Sequence, residues 1–530
     1  MFKRRISNIY VLAAFGTIGG ALFGFDISSM SAWIGTDQYL EYFNHPDADL
    51  QGGITASMSA GSFAGALAAG FLSDMLGRRS SLQIAAVIWI IGSVIQLSSR
   101  DVAQLICGRV INGLSVGIMS SQIPVYLAEL SPARIRGRIV GIQQWAIEWG
   151  ILIMYLVSYG CSKVEGPASF RIAWGVQAVP ALILLGALCF FPESPRWLAS
   201  KDRWEQCLDV LTLLHGHGEG DDRGREDPVV QAEYLEVQEA QRLADEGKNL
   251  SILGLFGRSM WRRTTAGLFA QLWQQLLGGN VMMYYIVYVF QMANLTGNVN
   301  LYSSAIQYVI FLVTTGITLT FIEKTGRRNL FVFGGVIMAA LHFAVAGLMA
   351  SYGHHVDSIP GASNIKWQVT GPPAKGIIAC SYLFVACYGF TWAPAAWVYC
   401  SEVFPIKWRA KGVGLCAAVN WMFNFALAYF VPPSFENIVW RTYIIFGVFC
   451  LASTVHSFLA FYETQGKTLE EIDGVFSSGL PAWRSGKIKS KFGEKVHRIE
   501  DKQEGIFQSD AADRQSEKEG FEQLDVGSRV

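Results

Sequence analysis

The sequence predicts an all-α polytopic membrane protein with twelve transmembrane helices in two six-helix halves. Three observations predict it. Of 530 residues only 16% are charged and 51% are hydrophobic, whereas a soluble chain would be about a quarter charged. Apolar stretches of the roughly 20 residues that a bilayer requires recur along the whole chain. The loops between them carry one set of charged signals twice. This composition excludes a disordered chain. The balance of 42 basic against 42 acidic residues excludes a polybasic binder, so no nucleic-acid partner is expected.

The spans are expected near 10–31, 52–73, 80–99, 102–124, 138–160, 171–192, 264–290, 301–322, 329–351, 376–400, 411–433 and 440–462. The first is too long and too glycine-rich for a cleaved signal peptide, and no A-x-A site follows it. Alternate short loops carry the basic residues: Lys3, Arg4 and Arg5; Arg78 and Arg79; Arg134, Arg136 and Arg138; Lys324, Arg327 and Arg328; Lys407, Arg409 and Lys411. The first loop on the opposite side is acidic, with Asp37, Glu41, Asp47 and Asp49. The positive-inside rule then places both termini in the cytoplasm, as an even number of spans requires.

Four regions follow: a six-helix half over 1–192, a polar cytoplasmic linker over 193–263, a second half over 264–462, and a tail over 463–530. In the linker, Asp227-Pro228 ahead of apolar residues among glutamates reads as a capped amphipathic helix on the membrane face. The tail is expected to be mostly disordered, above all past Gly505. The nine cysteines have no regular spacing and mostly sit in apolar runs, as small core residues.

The two halves repeat their signals in order. Asp74-Met75-Leu76-Gly77-Arg78-Arg79 follows the second span, and Glu323-Lys324-Thr325-Gly326-Arg327-Arg328 follows the eighth. Glu129 precedes Arg136 by seven residues after the fourth span, as Glu402 precedes Arg409 after the tenth. Glu193-Ser194-Pro195 closes the sixth and Glu463-Thr464-Gln465 the twelfth. Parallel halves of six spans are the arrangement of a major facilitator transporter, which rocks one half against the other. Carboxylates and guanidiniums at span ends make bidentate bonds between neighbouring helices, so these loops are expected to form a cytoplasmic gate. Pairs near water are weak enough to open.

Further motifs are Gly24-Phe25-Asp26, Gly108-Arg109, Pro124-Val125-Tyr126-Leu127-Ala128-Glu129 and Pro192-Glu193-Ser194-Pro195-Arg196-Trp197. The second half adds Gln274-Gln275-Leu276, Asn280, Pro394 to Trp397, Asn420-Trp421 and Glu463-Thr464-Gln465-Gly466-Lys467-Thr468-Leu469. On these motifs the chain resembles the sugar porter family from about residue 8 to 475. Residues 25–31 and 51–57 look like the fungal high-affinity glucose transporters in particular.

The resemblance implies that Gln144, Gln274, Gln275, Asn280, Trp397 and Asn420 line a sugar cavity, with Asn424 a weaker addition. The residues support this on their own terms. Gln274 and Gln275 are paired amides in an apolar helix, costly unless they face a partner or water. Gly278-Gly279 can break that helix, as transporter binding sites require, and Tyr284 and Tyr285 would close the outer side. The competing readings are helix–helix glue for the amides and packing for Trp397. One position departs from the family: twelve residues before Glu323, where an asparagine usually contacts the sugar, stands Phe311.

Asp26 lies inside the first span, where a carboxylate costs a few kcal/mol and needs a partner. Arg109 in the fourth span is the candidate, and the family's proton symporters pair these positions. A static ion pair is the alternative. Glu148, four residues after Gln144 and on the same helical face, faces the cavity, where it tunes proton or sugar affinity, or pairs with a polar neighbour.

Other motifs carry no chemistry. Gly466-Lys467-Thr468 lacks the first glycine of a phosphate loop, Phe461 standing in its place. His215, His217, His354 and His355 have no metal spacing, and Asn294-Leu295-Thr296 is a glycosylation sequon or a chance match. No nucleophile–base arrangement argues for an enzyme, and neither metal nor cofactor is expected. The expected function is import of a monosaccharide, glucose or another hexose, coupled to protons by alternating access. The expected setting is a monomer in a fungal plasma membrane. A passive facilitator and a non-transporting sugar sensor are the alternatives; the short tail and full motif set weigh against the sensor.

Overall fold

Long apolar runs bounded by glycines and charges become long helices. The computed structural model describes residues 6–31, 33, 37–46, 48–132, 134–215, 224–245, 252–284, 286–294, 298–356, 367–492, 494 and 496. Among them, eleven helices are long and apolar enough to cross a membrane. They are Ile9–Met30, Leu50–Leu76, Arg78–Leu97, Val102–Leu130, Arg136–Cys161, Ala168–Leu188, Ala305–Thr325, Arg327–Tyr352, Pro372–Glu402, Lys407–Asn437 and Arg441–Ala460. The remaining expected span is there in pieces: Trp261–Leu276, Gly279–Tyr284 and Ile286–Met292. Gly278 breaks it with φ +87°, a left-handed conformation that only a residue without Cβ takes freely. Counting that broken helix as the seventh, the spans number twelve.

Two kinds of surface organise the bundle. Ile91, Val94, Leu156, Leu182, Phe333 and Val455 remain exposed, as side chains facing lipid do. Inside, small residues bring backbones together. Gly61 and Gly65 of the second span meet Val110 and Leu114 of the fourth, and Gly113 and Gly117 return the contact to Met58 and Ser62. A Cβ at any of the four would strike the facing backbone, the close packing that small residues four apart allow.

The halves meet along the second and eleventh spans and along the fifth and eighth. Ser59 Oγ donates to Asn424 Oδ1 (2.8 Å) and Trp145 Nε1 to the Leu312 carbonyl (3.0 Å). Trp421 crosses the same seam, its Nε1 3.1 Å from Ser120 Oγ and its ring edge-on to Phe23 at 4.6 Å.

Between the sixth and seventh spans lie helices Pro195–Ser200, Trp204–His215 and Pro228–Asp245. The Asp227 carboxylate caps the last of these by accepting from the Val229 N–H (2.9 Å). That helix does not present its apolar face to a membrane. Val230 and Val237 are buried in one cluster with Cys207, Val210 and Leu211, because the neighbouring linker helix already covers them. Within 463–530, helix Glu471–Ser477 buries Ile472, Val475 and Phe476; residues past Gly505 lie outside the described residues. A two-stranded antiparallel hairpin, Gly353–His355 with Trp367–Val369, follows the ninth span.

Candidate functional site

The broken seventh span and the eleventh span share one network of buried amides. Asn420 Nδ2 donates to Gln274 Oε1 and Gln271 Oε1, both at 2.8 Å. Gln275 Nε2 donates to Asn420 Oδ1 (2.9 Å), Asn280 Nδ2 to Gln275 Oε1 (2.7 Å), and Gln274 Nε2 to the Ala393 carbonyl (3.1 Å). Asn280 reaches back to Gln275 because the turn at Gly278 folds the chain between them. Gly279 must also be small, since a Cβ there would enter the Tyr388 ring. Asn424 joins at 3.4 Å from Gln275 and carries the chain of bonds to Ser59 in the other half.

Four of the expected sugar residues, Gln274, Gln275, Asn280 and Asn420, are therefore brought together. Gln144 is not in this network: its Nε2 donates to Glu148 Oε1 (3.1 Å), which also accepts from Thr315 Oγ1 of the eighth span (2.7 Å). Trp397 is buried on helix Trp392–Glu402. Phe311 is 3% exposed, tilted against the Tyr388 ring at 5.8 Å. The Tyr284 side chain and Tyr285 lie outside the described residues. Sequence reasoning missed Gln271 and Thr315. Each stands four residues from a named position, Gln275 and Phe311, so helical periodicity was the available signal.

Asp26 and Arg109 form a second site within the first half. Nη2 lies 3.2 Å from Oδ2 and Nη1 3.4 Å from Oδ1, with the two residues 1% and 2% exposed. Arg109 also donates to the Ile54 carbonyl (2.9 Å) and the Thr55 carbonyl (3.2 Å). The guanidinium thus keeps two backbone partners if the carboxylate lets go.

At the charged end each half repeats one geometry. Gly77 and Gly326 take φ +94° and +83°, aiming the next two amides at a carboxylate. The Arg78 and Arg79 N–H groups donate to Glu193 (2.9 and 3.3 Å), those of Arg327 and Arg328 to Glu463 (2.9 and 3.1 Å). Each carboxylate caps a helix start, where the dipole favours negative charge. The Arg78 guanidinium then grips Glu129 through two bonds (2.9 and 3.1 Å), and Arg327 grips Glu402 (3.0 Å) and Glu323 (2.8 Å). Ser194 and Thr464 each add a hydroxyl to the same acids, Glu129 (2.5 Å) and Glu402 (2.7 Å).

The seven-residue Glu–Arg spacing does not make pairs. Arg136 donates to the Ala128 and Lys467 carbonyls, both at 3.2 Å. Arg409 donates to the Phe404 carbonyl (3.2 Å) and stands 3.6 Å from Glu129 in the opposite half. Lys411 lies 3.5 Å from Asp74, and the Arg138 N–H donates to Glu323 (3.2 Å). The Arg409–Glu129, Lys411–Asp74 and Arg138–Glu323 contacts cross between the halves and join them at the charged end. The linker and tail join them: Arg196 pairs with Glu470 at 3.0 Å. Burial alone would raise the Glu470 carboxyl, but Arg196, Arg409 and Arg136 hold it down at about 2.

His215 ties the linker to this end. Its Nδ1 lies 2.6 Å from Glu233 and its Nε2 3.1 Å from the Leu130 carbonyl. Both partners only accept, so the ring donates twice, as imidazolium.

Twelve helices in two halves, a network of buried amides in the second and charged loops repeated in both define a major facilitator transporter. The chain belongs to the sugar transporter family, whose model, described as "Sugar (and other) transporter", matches residues 12–476. It is 47% identical to the high-affinity glucose transporter of Kluyveromyces lactis, over 91% of this chain and 87% of that one. The high-affinity glucose transporter 1 of Candida albicans is 46% identical, over 91% and 88%. Among solved structures, the proton:xylose symporter XylE of E. coli, bound to 6-bromo-6-deoxy-D-glucose, superposes with a TM-score of 0.76. It is 26% identical over 88% of this chain and 99% of its own. This is a family of multi-pass membrane transporters of sugars, not of enzymes.

Proposed function

We propose that this protein imports a monosaccharide, glucose or another hexose, across the plasma membrane together with protons, by alternating access. The charged end faces the cytoplasm with both termini, and the unit is a monomer. The amides of Gln274, Gln275, Asn280 and Asn420, with Gln144 and Trp397, exchange their bonds for sugar hydroxyls, and Tyr284 and Tyr285 close the outer side. Likeness to fungal glucose transporters and to a proton:xylose symporter supports the substrate class and the coupling.

The observation that carries the reading is the Asp26–Arg109 pair, 3.2 Å apart and shielded from solvent. Removing one partner of a buried pair leaves an uncompensated charge, at about 3–5 kcal/mol. A proton delivered to Asp26 neutralises its side of the pair without leaving a carboxylate exposed in the bilayer. Arg109 then keeps only the Ile54 and Thr55 carbonyls of the second span, and the first span is free to shift against the fourth. Sugar binding biases the same equilibrium, so the two loads move together. Glu148 pairs with no cation among the described residues, so the ion-pair switch rests on Asp26 and Arg109.

Opening the cytoplasmic side then requires Glu129 to part from Arg409 and Asp74 from Lys411. Glu323 must also release the Arg138 N–H, and Arg136 the Lys467 carbonyl of the tail, while Arg78, Arg79, Glu193, Arg327, Arg328, Glu402 and Glu463 hold the loops of each half in shape through that motion. Uptake of labelled glucose in a transporter-null cell, with and without a protonophore, tests the proposal. Uphill accumulation that collapses to equilibration with the protonophore is expected, and Asp26→Asn should equilibrate without concentrating. An Asp26→Asn variant that still concentrates sugar refutes the switch. Equilibration by the wild type alone identifies a facilitator, and no uptake at all a sensor.

A further inference from the structure

Among the fully buried carboxyls of the spans, Glu148 is treated differently from the rest. Asp26 has Arg109, Glu129 has Arg78 and Glu402 has Arg327. Glu148, 1% exposed, has no cation among the described residues. Its Oε1 accepts from Gln144 in its own half and from Thr315 in the other (3.1 and 2.7 Å). Its Oε2 is buried and accepts from nothing, the only carboxyl oxygen in that condition among the described residues. A buried carboxyl oxygen without a partner is expensive to keep.

Thr315 lies one helical turn from Phe311, hence on the same face of the eighth span. The Phe311 ring packs on Tyr388 and against Gly389, whose carbonyl also accepts from Thr315 Oγ1 (3.3 Å). Phe311 offers no hydrogen bond to a sugar. One turn along that face, Thr315 holds the Glu148 carboxyl from across the seam.

We propose that Glu148 is a sugar ligand that sets specificity: its Oε2 bonds one hydroxyl of the monosaccharide, doing from the fifth span what Phe311 does not do from the eighth. Thr315 positions it. Two neutral donors on Oε1 fix the carboxyl plane, leaving Oε2 for the substrate. Because one bond comes from each half, sugar held by Glu148 is held at the surface that alternating access must shear. This rests on the sugar-import reading above.

The test is competition against labelled glucose uptake by singly deoxygenated and fluorinated glucoses, one per ring position. Wild type should discriminate against one position by about ten- to hundredfold, the worth of a hydrogen bond to a carboxyl. Glu148→Ala should flatten discrimination at that position alone, and Glu148→Gln should restore part of it. Thr315→Val should weaken it less than Glu148→Ala does. Where a variant does not transport, the same panel is read by ligand-induced thermal shift of the purified protein. An unchanged profile in Glu148→Ala, or an equal loss for every analogue, overturns the proposal. Those results leave sugar import standing if wild type still concentrates glucose; loss of wild-type uptake would strike the earlier reading instead.

Discussion

Phe311 shows how much one side chain decides inside a seam. Its burial against Tyr388 and Gly389 contributes packing, and replacing a buried phenylalanine by a small side chain costs about 3–5 kcal/mol. Phe311→Asn loses that packing and places an amide one turn from Thr315. The expected result is a lower melting temperature and an altered competition profile across hexoses and pentoses. Lower stability with an unchanged profile would show that Phe311 is packing and nothing more. At this scale the sequence was most legible where the chemistry was most out of place. Amides such as Gln274, Gln275 and Asn420, and an acid such as Asp26, stand out inside apolar runs. Thr315 and Ser59 do not, because a hydroxyl bonds its own helix at little cost and only a partner in the other half reveals its use.

Among the elements, the seventh span is the least regular and the most informative. Gly278-Gly279 pointed to a break, but the division of labour between them needed coordinates. Gly278 supplies the left-handed turn and Gly279 the space for Tyr388. A side chain at Gly278 pays about 1–2 kcal/mol for that conformation, and its Cβ would come 3.3 Å from His342 and from Phe446. Gly278→Ala should therefore lower the melting temperature. It should also raise the KM for sugar, since Asn280 reaches Gln275 only through this turn. Gly347→Ala in the ninth span, where a Cβ meets nothing within 4 Å, is the control and should change neither. Equal behaviour of the two variants would remove the turn from the site's construction. The linker helix Pro228–Asp245 teaches the opposite lesson: its amphipathic face was legible, but not which surface it covers, because periodicity says nothing of the partner.

Over the whole molecule, the repeated loops announced two halves, and the pairing between them stayed hidden. A Glu–Arg spacing along one chain does not reveal that Arg409 stands beside Glu129, or Lys411 beside Asp74, since those contacts span nearly 300 residues or more of sequence. The linker adds a charge that the loops do not contain. His215 joins helix Trp204–His215 to Glu233 on helix Pro228–Asp245 and to Leu130, the neighbour of Glu129. Burial and the nearby Arg196 oppose a charged ring, but Glu233 and the Leu130 carbonyl outweigh them and raise its pKa above the ordinary value. Glu233 is correspondingly lowered: burial would raise it, but His215, Arg196 and Arg136 prevail. The stabilisation from His215 is thus fully present below the ordinary imidazole range, about 6.5, and is lost as pH rises through the higher value in the fold. The melting temperature of the purified wild type should fall more steeply as pH rises above about 6.5 than that of His215→Gln, which keeps a donor but carries no proton to lose. Parallel profiles would mean that the ring is neutral in the fold and that the linker is tied to the charged end by packing alone.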